Sequence, residues 1–241
     1  MATHLETTSF FEEVFYGAQR LPLKGFALAA AFGLLTVVVD LLIPKPTGES
    51  PSEYVALAVV TITLLATFYR LAMMISDAPP SWVSGMRFVA TLVVILVFAF
   101  VALLGGLLLE RIESSVIVVV GGVALFLVLF GLPLLAGWPI AQAISNRFVS
   151  PLAILGATKG HRWGLITTSI ASTAINKIFP ATYPAKSGAQ SFLLAIGDGA
   201  VSCVSLILFA SIAATAYKFA VRADPTLAQP QHPHAGQSLI G

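Results

Sequence analysis

The sequence predicts an all-α protein: a polytopic bundle of about six transmembrane helices, preceded by an N-terminal amphipathic helix at the membrane interface. Only 10% of the residues are charged whereas 57% are hydrophobic, and the hydrophobic residues form long blocks, such as the uncharged residues 88–109. About 20 such residues cross the hydrocarbon core of a bilayer. We therefore expect a cytoplasmic N-terminus over residues 1–25, the helical bundle over residues 26–222 and a disordered tail over residues 223–241.

The amphipathic helix is predicted over residues 9–21. Ser9 and Glu12 have the spacing of a capping box, which marks the start of a helix. One apolar stripe follows at helical spacing and consists of Phe11, Val14, Phe15 and Ala18. This pattern favours a helix that lies on the membrane or docks a partner, although a simple connection into the first transmembrane helix gives the same pattern.

Six apolar segments account for the predicted spans. They cover residues 26–43, 54–74, 88–109, 116–136, 165–178 and 191–221. The fifth is the shortest, because a helix over residues 165–178 is only ~21 Å long at ~1.5 Å per residue. It fits a thin span, a re-entrant segment or a surface helix.

The basic residues predict the orientation of the chain. With six spans and a cytoplasmic N-terminus, nine of the 13 basic residues face the cytoplasm, as the positive-inside rule requires. These nine are Arg20, Lys24, Arg70, Arg87, Arg147, Lys159, Arg162, Lys218 and Arg222. Both termini are therefore predicted to be cytoplasmic.

A ridge of small residues follows one side of the last segment. Its members recur at four-residue steps, or multiples of four, and include Ala195, Gly199, Cys203 and Ser211. Small residues let membrane helices approach closely. The ridge predicts a helix-packing interface, either inside the bundle or with a membrane-protein partner or a second copy of the chain.

Ionisable residues within the apolar segments are the candidate polar site, because such residues are expensive inside a membrane. Asp40 lies near the end of the first segment, and Asp198 lies between Gly197 and Gly199 in the last. Lys177, at the end of the fifth segment, is the expected ion-pair partner of Asp198. These groups either form a structural pair or line a path for an ion or solute.

The hydroxyl groups of the fifth segment could line such a path. They belong to Thr167, Thr168, Ser169, Ser172 and Thr173. They could equally donate hydrogen bonds to carbonyl groups of their own helix, which is a common use of Thr and Ser in membrane helices.

Several classes of function lack support in the sequence. No helix carries a paired-histidine metal motif and no glycine-rich phosphate loop precedes a helix, so we expect no catalytic residues, no metal and no cofactor. The net charge of +2 and the absence of a basic cluster with interleaved aromatics argue against nucleic acid.

Three stretches of the sequence carry a family resemblance. In residues 151–165, a proline and a short apolar segment precede Thr158, Lys159 and Gly160, an aromatic residue and a new apolar segment. The second segment ends in Phe-Tyr-Arg, at residues 68–70, and the last ends in Thr-Ala-Tyr-Lys, at residues 215–218. Over residues 10–222 the chain resembles the bacterial YciC-like group, which is related to the membrane domain of glycerophosphoryl diester phosphodiesterases. The resemblance implies a six-helix bundle without an attached catalytic domain.

These observations favour a non-enzymatic protein of the bacterial inner membrane. We expect an accessory, scaffold or assembly subunit of a larger membrane complex, with the lipid bilayer and another membrane protein, or a second copy, as partners. The alternative is a small transporter, channel or lipid-handling protein in which Asp198, Lys177 and the fifth segment line the path.

Overall fold

A computed structural model describes residues 2–42, 51–110, 122–123, 126, 130–145, 148–175 and 188–228. Every regular element in these ranges is helical. The helices are α1 (Ala2–Gln19), α2 (Leu23–Leu42), α3 (Pro51–Ile75), α4 (Trp82–Glu110), α5 (Leu132–Leu134), α6 (Trp138–Ile144), α7 (Pro151–Ala157), α8 (Arg162–Ile175) and α9 (Gly188–Ala223), with 3-10 turns over Thr158–Gly160 and Pro225–Ala228.

Four of the described helices are long and apolar enough to cross a membrane: α2, α3, α4 over Trp82–Val101, and α9 over Gln190–Ala223. They correspond to the first, second, third and sixth predicted segments. Their mean hydropathy values, between 1.9 and 2.3, explain the agreement, since composition alone identifies such segments.

The structure describes the fourth and fifth predicted spans only in part. Most of residues 116–136 lies outside the described residues. The fifth segment begins at Arg162 as α8, a helix of 14 residues whose described part ends at Ile175. These 14 residues cover ~21 Å, and residues 176–187 lie outside the described residues.

The chain forms two compact units, and neither is continuous in sequence. The first comprises Met1–Pro80 and Trp163–Thr215, and the second comprises Ser81–Arg162 and Ala216–Gly241. Most of α9 belongs to the first unit, and its last two turns belong to the second.

The N-terminal helix differs from its prediction in extent and in its buried face. It begins at Ala2 instead of residue 9, because no glycine or proline interrupts residues 2–16. Phe10 and Val14 are buried at 0% and 1% exposure, whereas Phe15 of the predicted stripe is 57% exposed. Phe10 is buried because it packs against Gly164, where a Cβ atom would lie 2.9 Å from Cβ of Phe10.

Local hydrogen bonds fix the end of α3. The backbone N–H of Ala78 donates to the carbonyl of Met73, and that of Asp77 donates to Met74. This is the Schellman arrangement, with Asp77 in the left-handed position at φ 54°. The chain therefore leaves α3 in a defined direction.

The start of α4 is capped by two serines. The hydroxyl of Ser81 accepts from the backbone N–H of Ser84 at 3.1 Å, and the hydroxyl of Ser84 accepts from the backbone N–H of Ser81 at 3.0 Å. This reciprocal pair is a capping box with serine at its fourth position.

The predicted tail is ordered at its beginning. Residues 225–228 form a 3-10 turn in which Leu227 is 3% exposed. The carboxylate of Asp224 accepts from the backbone N–H and the hydroxyl of Thr226, at 3.1 and 2.7 Å. Residues 229–241 lie outside the described residues.

Candidate functional site at the crossing of α2 and α9

Helices α2 and α9 of the first unit touch through their backbones at two glycines. A Cβ atom at Gly33 would lie 2.6 Å from the carbonyl oxygen of Gly199, and one at Gly199 would lie 2.5 Å from the carbonyl oxygen of Gly33. No Cβ atom fits at either distance. The glycines therefore set the closest approach of the two helices, as small residues do in membrane bundles.

The contacts around the glycines give the direction of the crossing. Gly33 faces Gly199 and Cys203, whereas Val37, one turn later on α2, contacts Gly199. Moving forward along α2 thus corresponds to moving backward along α9. The two helices are antiparallel.

Asp40 and Asp198 meet at this crossing, where their carboxyl groups are close neighbours. Asp40 lies about one turn beyond Val37 on α2, and Asp198 directly precedes Gly199. Two ionised carboxylates at close range repel each other, and the site is a pair of acidic groups between two apolar helices.

The sequence predicted both aspartates as site residues but not their pairing. Lys177, the predicted partner of Asp198, lies outside the described residues. The signal for the pairing is the position of each aspartate next to a close-contact glycine: Asp40 lies about two turns from Gly33 on α2, and Asp198 adjoins Gly199. The sequence alone does not reveal this signal, because it depends on Gly33 facing Gly199.

The small-residue ridge of α9 faces the protein interior. Ala195 is 5% exposed and Ser211 0%, and Gly199 is buried against α2. Cys203 is partly exposed and its Cβ atom lies next to Gly33. The ridge was predicted to pack either within the bundle or against a partner, and these contacts favour packing within the chain.

The threonine hydroxyls of α8 donate to carbonyl groups of their own helix. Thr167 donates to Trp163 at 2.7 Å, Thr168 to Gly164 at 2.5 Å, and Thr173 to Ser169 at 2.9 Å. Hydroxyls bonded in this way are satisfied without a solute. The contacts therefore favour the structural use of the fifth segment.

In the second unit, two side chains of α6 donate hydrogen bonds to one carbonyl group at the corner between α6 and α7. The oxygen of Val149 accepts from Nε1 of Trp138 at 2.8 Å and from Nε2 of Gln142 at 2.7 Å. Val149 and Ile154 are both buried and hold the N′ and N4 positions around the helix cap Ser150, which is the arrangement of a hydrophobic staple. Sequence reasoning missed this corner.

In the described part of the second unit, His161 is a buried titratable side chain that lies outside the apolar spans. Its ring centre lies 4.9 Å from that of Phe219, and the guanidinium of Arg222 lies 5.0 Å from the Phe219 ring centre. Burial lowers the pKa of His161 to about 4, because a charged imidazolium is disfavoured away from water. His161 is therefore neutral at pH 7.

Comparison of the chain with protein-family models, with curated proteins and with solved structures gives no match to any of them.

Proposed function

We propose that this protein is a non-enzymatic integral membrane protein that serves as an accessory, scaffold or assembly subunit of a larger membrane complex. The observation that carries the proposal is the surface of α4. Near its start, Ser84, Phe88 and Thr91 are buried on one face. Over residues 93–101, most of the helix surface carries exposed large apolar side chains, which are Val93, Val94, Leu96, Val97, Phe98, Phe100 and Val101. Only the half-buried Ile95 and Ala99 continue the buried face.

A membrane helix in a self-contained bundle usually buries a stripe of its surface against its neighbours. Over residues 93–101 that stripe narrows to the half-buried Ile95 and Ala99, and the wide apolar face opposite it suits a helix that packs against another membrane protein. Aromatic side chains are strong anchors at such contacts, and Phe98 and Phe100 are 71% and 63% exposed. The polar groups of α8 and the ridge of α9 support the proposal too, since both are engaged within the chain.

We further propose the bacterial inner membrane as its location, with both termini in the cytoplasm. The antiparallel crossing of α2 and α9 supports two termini on one side, because within the first unit α9 runs towards the face from which α2 starts. Four or six spans satisfy this condition and five do not. The resemblance to the YciC-like group, with its six-helix bundle, favours six.

Photocrosslinking in native membranes tests the partner. Benzoylphenylalanine replaces Phe98 or Phe100 on α4, with the buried Phe88 and the exposed Leu34 of α2 as control positions. We expect one protein adduct from positions 98 and 100 and not from 88 or 34. Phe98→Ala and Phe100→Ala should reduce that adduct and the abundance of the crosslinked protein, with an unchanged unfolding temperature of the purified variant. Lipid adducts alone from both α4 positions would contradict the proposal.

The second candidate is a small transporter, channel or lipid-handling protein, and the Asp40–Asp198 pair favours it. Neighbouring acidic groups inside a membrane protein are typical of pathways for ions or protons. Flux across proteoliposomes under a pH gradient tests this function. An Asp198→Asn variant that folds normally but conducts nothing would support it, and equal flux in liposomes lacking the protein would reject it.

A further inference from the structure

Helix α7 and the residues that flank it present an exposed face that combines apolar and basic groups. Phe148 and Leu152 are 76% and 74% exposed, and Lys159 is also exposed. Within α7 and its 3-10 extension, the exposed positions 152, 156 and 159 recur at helical spacing, whereas Ile154 and Thr158 on the other side are 0% exposed. A Cβ atom at Gly156 would meet nothing within 4 Å, so this face is open along its length.

Contacts within the second unit place the start of α7 close to the first turns of α4. Nη1 of Arg87 donates to the carbonyl of Ser145 at 2.7 Å, which holds the end of α6 at the level of the second turn of α4. That apolar span of α4 begins at Trp82. Since Trp138 and Gln142 both bond the carbonyl of Val149, the chain folds back beside α6 before α7 begins at Pro151. The start of α7 therefore lies near the end of an apolar span, at the membrane–water boundary.

The chain segment that contains α7 carries basic residues and no acidic ones. No Asp or Glu occurs between Glu113 and Asp198, whereas five Lys or Arg residues do. Near α7 these include Lys159 and Arg162. Nη2 of Arg162 donates to the carbonyl of Leu155 at 3.0 Å, and Lys159 is the exposed cation among the described residues of the open face. A face with large apolar groups and a cation, at the boundary of a bilayer, complements a negatively charged lipid surface.

We propose that α7 is an interfacial helix that binds anionic lipid headgroups. Phe148 and Leu152 insert among the upper acyl chains, and the ammonium group of Lys159 pairs with the lipid phosphate. The stem of Lys159 covers apolar surface while its charge reaches the headgroup. The face is thus a lipid-binding surface of the folded protein, separate from α4, where the proposed protein partner binds.

Fluorescence quenching in nanodiscs tests the position of the face. A bimane probe is attached to Leu152→Cys or Gly156→Cys in the full-length Cys203→Ala background, so that only one cysteine reacts. We expect quenching by phosphatidylcholine that carries a spin label high on its acyl chain, and little quenching by aqueous iodide. Leu96→Cys in the exposed part of α4 is the control for lipid contact, and the buried Ile154→Cys is the control for protection from both quenchers.

The same probe at position 156 tests the headgroup preference. Spin-labelled phosphatidylglycerol should quench it more strongly than spin-labelled phosphatidylcholine at equal mole fraction. One lysine near an anionic surface changes lipid binding about fivefold, so Lys159→Gln should abolish most of this preference and Lys159→Arg should keep it.

Three outcomes would overturn the proposal. Quenching by iodide instead of lipid would put the face in water, and protection from both quenchers would mean that protein covers it. Equal quenching by the two lipids, with no effect of Lys159→Gln, would leave an apolar contact without headgroup recognition. Each variant is compared at an unfolding temperature equal to that of the Cys203→Ala parent, so that a folding defect is not mistaken for a lost contact.

Discussion

The carboxyl group of Asp40 on α2 lies next to that of Asp198 on α9, beside the point where Gly33 and Gly199 bring the two backbones together. The two helices therefore meet both through their backbones and through a pair of acidic side chains. Each of the two contacts can be removed separately.

Removing the carboxyl pair should weaken the crossing of α2 and α9. Polar contacts between membrane helices contribute on average about 0.6 kcal/mol, with a maximum of about 1.7. We expect Asp198→Leu and Asp40→Leu each to lower the free energy of unfolding in mixed SDS micelles by about that amount, and the double variant to add little to either. Asp198→Asn is the matched control, because its amide can donate a hydrogen bond to Asp40. Fully additive losses would mean that the two side chains are energetically independent.

A single methyl group at Gly199 should be more damaging than the loss of the carboxyl pair. The new Cβ would collide with the carbonyl oxygen of Gly33, a backbone atom that cannot rotate away. Overpacking of this kind costs about 1–3 kcal/mol, and Gly199→Ala should lower the unfolding free energy accordingly.

Gly156→Ala is the control for that substitution. Its Cβ would meet nothing within 4 Å, and alanine is favoured over glycine inside a helix by about 1 kcal/mol. This variant should be as stable as the parent or slightly more stable. Equal effects of the two alanines would show that α2 and α9 do not touch as described.

Acid should destabilise the protein through His161. Because burial lowers the pKa of the folded state to about 4 from 6.5, the unfolded chain binds a proton between these values and the folded chain does not. Stability is therefore complete above about pH 6.5 and falls as the pH drops towards 4, by up to about 3 kcal/mol. Thermal unfolding in detergent between pH 4 and 8 measures it. In His161→Gln this part of the pH dependence should disappear, and an unchanged profile would assign it to other groups.

The shared acceptor at Val149 predicts non-additive effects of Trp138 and Gln142. After Trp138→Phe or Gln142→Leu, the carbonyl of Val149 keeps one hydrogen bond, and each variant should lose about 1 kcal/mol. When both are changed, the buried oxygen has neither of these two donors, and the loss should exceed the sum of the single losses. Denaturation of the two single variants and the double variant checks this, and a smaller combined loss would contradict it.

The long apolar helices were predictable from the sequence, and their partners were not. The predicted bounds of α2, α3, α4 and α9 agree with the structure to within about six residues, because an uncharged apolar block has few alternatives to a membrane helix. Which side of such a helix is buried is a different question. Lipid chains are as apolar as leucine, so hydrophobicity does not mark the face that meets another helix.

For the candidate site, too, the residues were predictable from the sequence and their contacts were not. Asp40 and Asp198 were identifiable because carboxyl groups in apolar helices are rare, but their pairing depends on Gly33 facing Gly199, residues far apart in the chain. Similarly, the buried face of α1 depends on the space above Gly164, which admits Phe10. Neither contact leaves a periodic pattern in the neighbouring sequence.

The hydrogen bonds to Val149 also bear on the order in which the chain assembles during synthesis. Their donors lie only 11 and 7 residues away, so this corner can close as soon as α7 has been made, and short loops close quickly. Gly33 and Asp40, by contrast, meet their counterparts only after α9 is complete. For most of translation, α2 is therefore in the membrane before Asp198 has been made, and Asp40 lacks this neighbour. During that time, insertion factors or a partner chain would have access to Asp40.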